Sequence, residues 1–327
     1  EEAVSMPVPV FPLDGLETHI DALRTACHET GLFYLKLDDA ACERCAAAAR
    51  VFFDSDATAK AFCSYEASPA LRGYMKLGVE NTAGIIDARE QIELGREDGT
   101  CDDGVAQRLV GQNRWPDDGG ALRNACEPWL AAMSVASARV TRCLSVGLGL
   151  DENTLDERVL GPCPHWQAKL ASYPPGAGPG VGAHSDSGWL TLLWADQPGL
   201  QAQLRTGEWV DVAPVASAVA VNLGEMLQLA SGGFYRATPH RVGPSARRRL
   251  SLPFFWNPSL SAVVDVVVDS TKLPWTRPGP AAAARHSLLR AYGANAFKSL
   301  ARSHPEVFER HHPDLCVRGD GTVAARD

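Results

Sequence analysis

The chain has 327 residues, 45% of them hydrophobic and 21% charged, a balance that supports a soluble globular protein with a full buried core. Its formal net charge of −8 argues against long polyanions, which need a basic face, so nucleic acid is not an expected partner. No run of eighteen apolar residues and no charged-then-apolar leader occurs, so the expectation is a cytoplasmic chain without a membrane span.

In chain order, MPVPVFPLDGL is an extended, proline-punctuated opening. Leu16, Ile20, Leu23 and Cys27 then recur at the spacing of an amphipathic helix that Gly31 ends. LFYLKL reads as a short strand, and helical stretches follow over 40–53 and after Asp56. Cys42 and Cys45 form a C-x-x-C inside the alanine-rich run CERCAAAARVFF. It lacks two further zinc ligands and the context of a redox motif, so these thiols read as packing residues. The nine cysteines, odd in number and without framework spacing, fit reduced thiols. The stretch 63–118 is rich in Gly, Asp and Asn, irregular, and too long to be featureless in a compact domain.

A long helix spans Leu122 to Leu148, with Leu122, Cys126, Trp129, Met133, Ala136, Val140 and Leu144 on one face and Gly149 beyond its end. Asp151 is an N-cap for a short helix to Leu160. From Trp166 the period changes to two: Trp166, Ala168, Leu170 and Ser172 share one face, and Lys169, Ala171 and Tyr173 the other. Further strands are expected near 188–194, 209–212, 218–223, 238–242 and 249–256, and 281–303 returns to helix. The expectation is one domain over 1–327: a mostly helical region to 160, a β-barrel core at 161–262 and a C-terminal helix at 281–303.

The chemistry concentrates in GAHSDSGWLTLLW at 182–194 and ATPHRVGPSARRRLSLPFFWNP at 237–258. On a strand, His184 and Asp186 would share a face, and His240 must come from another strand folded alongside. Two histidines and a carboxylate are the ligand set of a non-haem Fe(II) oxygenase, which leaves positions open for a co-substrate and O2. Arg249, Ser251, Pro253 and Phe255 share one face of the last strand. An inward arginine must find an anion, because an unpaired buried charge is costly. Its guanidinium and the Ser251 hydroxyl therefore offer a carboxylate clamp. His312-Pro313-Asp314 repeats the H-x-D pattern but has no later histidine to complete a triad. The remaining histidines (His19, His28, His165, His286, His304 and His311) read as surface or packing residues.

H-x-D, the distant H-R-V and R-x-S-x-x-x-F-x-N-P together resemble the Fe(II)/2-oxoglutarate oxygenase superfamily, in its isopenicillin N synthase-like branch. The resemblance runs from VPVFPLDGL through GLFYLKL, RGY at 72–74, KLASYPPG, GLQAQ, WVDVAP and VNLGEMLQ. DAREQIELGRED at 87–98 is similar to a segment of thymine hydroxylases. The resemblance implies a mainly β fold, a double-stranded β-helix (jelly-roll) core wrapped by N- and C-terminal helices. It also implies Fe(II) on His184, Asp186 and His240, 2-oxoglutarate on Arg249, Ser251 and Tyr173, and O2, with ascorbate as an accompanying reductant. Ser185, Gly224-Glu225, Ala171 and Pro253 depart from the commoner family residues without touching the ligand set.

GYMKLGVENTAG at 73–84 and YGANAFKSLARSHPE at 292–306 are similar to segments of the ethylene-forming enzyme. Carried across, Tyr74, Glu80, Thr82, Lys169, Phe255 and Arg302 would line the substrate pocket. Glu80 and Thr82 would meet a cationic or polar end, and Arg302 a carboxylate. The implied substrate is a small molecule, an amino acid or a derivative, with no partner protein. Hydroxylation, desaturation and cyclisation stay open. So do a 2-oxoglutarate-independent oxidase of the isopenicillin N synthase or aminocyclopropane-carboxylate oxidase kind and a non-catalytic ligand-binding module.

Overall fold

The computed structural model describes residues 8–82, 85–99, 104–176, 178–269, 288–319 and 322–326. The chain enters through β1 (Val10–Pro12), α1 (Ile20–Glu29), β2 (Leu32–Lys36), α2 (Ala40–Asp54) and α3 (Ala57–Phe62). Four short strands follow, β3 (Gly73–Met75), β4 (Asn81–Thr82), β5 (Ile85–Ile86) and β6 (Glu90–Gly95), and then the long α4 (Ala121–Gly147). The barrel strands are β7 (His165–Tyr173), β8 (Val181–His184), β9 (Leu190–Ala195), β10 (Leu200–Gln203), β11 (Trp209–Asp211) and β12 (Ala218–Leu223). After α5 (Glu225–Ala230) come β13 (His240–Val242) and β14 (Arg249–Asn257). The chain closes with α6 (Tyr292–Ser303), α7 (Pro305–His311), β15 (Leu315–Val317) and β16 (Val323–Ala325).

Two sheets form the jelly roll. The larger runs β1-β2-β12-β9-β14-β7-β6-β3 and the smaller β11-β10-β13-β8. Alternation decides what each face of the larger sheet meets. Leu250, Leu252, Phe254 and Trp256 of β14, with Ala168 and Leu170 of β7, join Trp129, Met133 and Val140 of α4 in the main core. Each such large apolar side chain contributes about 1.5–3 kcal/mol when fully buried. The opposite face turns toward the smaller sheet, where Ala171, Tyr173, Val181, Leu200, Ala202, Ala220 and Val242 form a second apolar cluster. α4 thus braces the sheet from behind and leaves its inner face free for chemistry.

Several expectations shift. The first helix is split, with a 3-10 turn at Leu16–His19 before α1. The stretch 63–118 contains β6, which pairs with β7 from Glu90↔Ser172 to Gly95↔Gln167 as an integral strand. The short helix expected after Asp151 is a wide π-type turn over Asp156–Leu160. Helix at 281–303 begins only at Tyr292; positions 281–287 lie outside the described residues. Cys42 and Cys45 are buried in α2, and no metal-holding cluster among the described residues includes them. No helix of the described residues is long and apolar enough to cross a membrane.

Candidate active site

β8 and β13 pair so that His184 and His240 lie directly opposite each other, with ring centroids 4.4 Å apart. Asp186 completes the group: one ligand atom from each residue lies within 4.8 Å of the others. Asp186 is not on a strand, however. β8 ends at His184, and the carboxylate reaches inward from the following turn. That turn is pinned by the start of α5, where Glu225 N donates to Asp186 O at 2.8 Å and Met226 N to Gly188 O at 3.0 Å. Gly224 has to be glycine because a Cβ there would sit 2.2 Å from Gly188 O.

The three donors are oriented by their surroundings. Nδ1 of His184 bonds Gly182 O at 2.9 Å, and Nδ1 of His240 bonds Thr238 O at 2.9 Å. A carbonyl only accepts, so both Nδ1 atoms carry a proton, and in the neutral ring Nε2 is the nitrogen left with a lone pair for a metal. Oδ2 of Asp186 accepts from Thr191 Oγ1 at 2.5 Å and Asn222 Nδ2 at 2.8 Å. This leaves Oδ1 facing the histidines, 3.6 Å from His184 Nε2 and 3.8 Å from His240 Nε2. Burial alone would raise the Asp186 pKa, but His240, His184 and the Thr191 bond outweigh it and hold the group well below the usual carboxylate range. Burial pushes His240 down, toward the neutral form that binds metal.

Across the barrel, Arg249 lies opposite Tyr173, with its guanidinium 5.0 Å from the Tyr173 ring centre. Arg249 is 1% exposed, and its Nε donates to Gln197 O at 3.1 Å. Its Nη1 is buried without a partner. Burial would raise the Tyr173 pKa, but the charges of Arg89 and Arg249 and hydrogen bonds from Ser251 and Arg89 bring it below normal. Arg249, Ser251 and Tyr173 therefore form one polar corner within the apolar cluster.

A chain of buried charges runs from that corner along β6 and β7. Arg89 is hydrogen-bonded to Tyr173 and pairs with Asp87 at 3.1 Å and Glu80 at 3.3 Å. Glu80 Oε1 meets His304 Nε2 at 2.9 Å, which ties the junction of α6 and α7 to the pocket wall. Lys169 Nζ lies 3.4 Å from Glu93 Oε2. Burial works against the charged form of Glu80, yet Lys169, His304 and Arg89 prevail and depress its pKa. Burial likewise opposes the Lys169 charge, and Glu93 and Glu80 overcome it.

Of the residues nominated for the substrate, Lys169 and Glu80 join this wall. Thr82 donates to Asp87 at 2.9 Å and packs against Gly182 of β8, and Phe255 is half-buried on the inner face. Two nominations are corrected. Tyr74 lies opposite Ile92, on the outer face, where it packs edge-on against Phe52 and bonds Glu90 at 2.8 Å. Arg302 is exposed at the C-terminal end of α6, although Asn295 and Lys298, seven and four residues earlier on its helical face, are buried. His304, read as a surface or packing residue, is instead a buried partner of Glu80. Arg89, Thr191 and Asn222 were missed. For Thr191 on β9 and Asn222 on β12 the signal was inward parity on the strand, most legible for Asn222 in VNLGEMLQ; Arg89 lies just before β6 and strand period gives no direction for it.

Residues 155–258 match the model of the 2OG-Fe(II) oxygenase superfamily, and residues 8–118 that of the non-haem dioxygenase in morphine synthesis N-terminal region. A 2-oxoglutarate-dependent dioxygenase of Gibberella zeae is 31% identical over 300 residues, covering 81% of this chain and 78% of that one. A homoarginine-6-hydroxylase of Arabidopsis thaliana is 28% identical over 282 residues, covering 81% and 84%. A Neurospora crassa protein crystallised with alpha-KG and thymine superposes with a TM-score of 0.72 at 22% identity, over 93% of this chain and 99% of that one.

Proposed function

The chain belongs to the 2OG-Fe(II) oxygenase superfamily, and from that premise we propose how its residues divide the work of an Fe(II)- and 2-oxoglutarate-dependent dioxygenase. His184, Asp186 and His240 hold the iron through two Nε2 atoms and Oδ1. Arg249, Ser251 and Tyr173 hold the far carboxylate of 2-oxoglutarate. The residues fit both groups. The donor set is two imidazoles whose Nε2 atoms turn to Asp186 Oδ1, and one ionised carboxylate, and the buried Nη1 of Arg249 lacks the acceptor that a co-substrate carboxylate would supply. That orphaned donor, together with a preformed ligand triad, is the observation that carries the assignment.

When bound, iron with 2-oxoglutarate supplies the O2 chemistry that oxidises a C–H bond, with release of succinate and CO2. The chain's own tasks are orientation and exclusion of water. Gly182 and Thr238 carbonyls fix the imidazole tautomers, while Thr191 and Asn222 hold Asp186 Oδ2 so that Oδ1 keeps one direction. Val181, Leu200, Ala202 and Val242 keep the co-substrate end dry. The substrate then lies among Lys169 of β7, Phe255 of β14, Thr82 of β4 and Glu80 just before β4. Paired but pocket-facing charges favour a small polar molecule with ionised groups, an amino acid or derivative. The name of the homoarginine-6-hydroxylase relative supports the same class. Succinate formation with Fe(II), ascorbate and 2-oxoglutarate, screened against amino acids and their derivatives, tests it. Stimulation by members of that set is expected. Stimulation only by uncharged apolar compounds would refute the substrate class, and no 2-oxoglutarate turnover with any compound would refute the division of roles.

A further inference from the structure

One charged side chain inside the molecule has no place in that account. Arg72 is 1% exposed, as Arg249 is. Its Nη2 donates to Leu109 O at 3.0 Å, while Nε and Nη1 are buried without partners. No carboxylate among the described residues pairs with it within 4.0 Å: Glu93 and Glu97 act on its charge only from farther away, Glu93 being engaged by Lys169 and Glu80 by Arg89 and His304. Arg249 has the same signature: one guanidinium nitrogen on a carbonyl and Nη1 left over.

The backbone is arranged to keep Arg72 there. Leu71 adopts φ 55°, a left-handed conformation that is rare for a branched side chain and costly without compensation. Gly95 provides the floor: a Cβ on it would lie 1.7–2.0 Å from the guanidinium atoms of Arg72. The guanidinium therefore lies flat on the inner face of β6. Beside it, His165 is 2% exposed with an unpartnered Nε2, and burial together with the Arg72 charge lowers its pKa to about 3. Tyr292, first residue of α6, comes within 6.5 Å of the His165 ring.

Strand register relates this spot to the ligand triad. Gly95 lies opposite Gln167, Gln167 opposite Phe255, Phe255 opposite Thr191, and Thr191 opposite Asn222. Residues paired in this way point to the same face. Thr191 and Asn222 both hold Asp186, so one transverse row carries Arg72 at one end and the ligand carboxylate at the other. Gly95 and Thr191 are three strand spacings apart, about 14 Å. Between them Gln167 and Phe255 are only half-buried, as a pocket floor would be.

We propose that Arg72 receives the substrate's carboxylate at the end of the pocket away from the ligand triad, the role for which the sequence nominated Arg302. The proposal rests on the small-polar-substrate reading above. It requires a substrate whose oxidised carbon is several bonds from its anionic group, long enough to cross the row.

Holoprotein loaded with Mn(II) and 2-oxoglutarate, titrated calorimetrically with L-arginine, L-homoarginine and the carboxamide of each, tests it. Wild type should bind an acid roughly 10- to 100-fold tighter than its amide. Arg72→Met should erase that preference and leave 2-oxoglutarate affinity within about twofold. Gly95→Ala, which keeps the charge but displaces the guanidinium, should do the same. Should Arg72→Met fail to fold, Gly95→Ala and Arg72→Lys decide, since both retain the buried cation. Acid preference that survives displacement of the guanidinium overturns the proposal. A wild type that binds 2-oxoglutarate but prefers no acid over its amide also overturns it, without touching the oxygenase assignment, which stands on 2-oxoglutarate binding.

Discussion

Replacing Asn222 with leucine, close to it in volume, removes one of the two hydrogen bonds on Asp186 Oδ2. A hydrogen bond to a charged group contributes about 1.5–3 kcal/mol, and Asn222 is only 6% exposed, so water cannot readily replace it. Part of that loss appears as stability of the metal-free fold. The rest appears as freedom of the carboxylate to turn Oδ1 away from the two imidazoles. Loss of an outer partner of this kind costs roughly 10–100-fold in metal affinity, or about 1.4–2.8 kcal/mol. Titration with Mn(II) followed by calorimetry reads it directly, with circular dichroism to establish that the fold is retained. Thr191→Val should act on the same oxygen, so the double variant should deviate from additivity by more than about 0.5 kcal/mol. A folded Asn222→Leu protein that binds Mn(II) within twofold of wild type would refute the claim that Asn222 orients the ligand.

Arg249→Met should raise the 2-oxoglutarate concentration for half-maximal turnover by at least about 30-fold, since truncating one partner of a buried charge pair costs 2–5 kcal/mol or more; an unchanged requirement would reassign the clamp. Glu80 is held below its ordinary pKa of 4.5 once Lys169, His304 and Arg89 overcome the opposing effect of burial. The unfolded chain therefore binds its proton first. The stabilisation is complete above about pH 4.5 and drains away as pH falls below it. Denaturant midpoints measured from pH 6 down to 3 should fall more steeply for wild type than for Glu80→Gln, and parallel curves would show that Glu80 contributes nothing. Gly224→Ala should destabilise the protein by about 1–3 kcal/mol, because its methyl group would displace Gly188 O, and should weaken Mn(II) binding, because the same turn carries Asp186. A thermal-denaturation midpoint equal to wild type would count against the packing argument.

The legible residues were those whose direction follows from strand period alone. His240, Arg249, Ser251, Lys169 and Tyr173 sit on β13, β14 and β7, where the two-residue repeat fixes the inward face. Asp186 reached the right place for a different reason than the repeat suggests, since β8 has already ended and α5 pins its turn. β6 was hidden by its own chemistry. Its outward positions Ile92 and Leu94 are apolar, but its inward positions Gln91 and Glu93 are polar and lie toward the pocket. A strand that turns its polar edge inward reads from composition as solvated loop. Arg302 was nominated on a helix, where no two-residue repeat fixes a direction. Which side of α6 meets the sheet is set by packing of Phe297 and Ala301 against the core, a tertiary choice that a single residue's resemblance does not encode.

On these assignments the two ends of the barrel select by charge. The co-substrate end holds Arg249 among Val181, Leu200, Ala202 and Val242, so a dianion that brings a carboxylate to it gains a partner and loses little solvation. The wall beside β6 and β7 holds Glu80, Glu93 and Asp87 against Lys169 and Arg89. A second 2-oxoglutarate placed against that wall would bring a carboxylate near Glu80 and Glu93, and like charges in a water-poor pocket repel by several kcal/mol. A zwitterion avoids this by offering a cation to the acids while its carboxylate passes beyond them to Arg72. Glu80 would then discriminate mainly against the wrong occupant. Glu80→Gln should accordingly sharpen inhibition by excess 2-oxoglutarate, a change visible as downward curvature in rate against co-substrate concentration. Its absence would leave Glu80 with a structural role only.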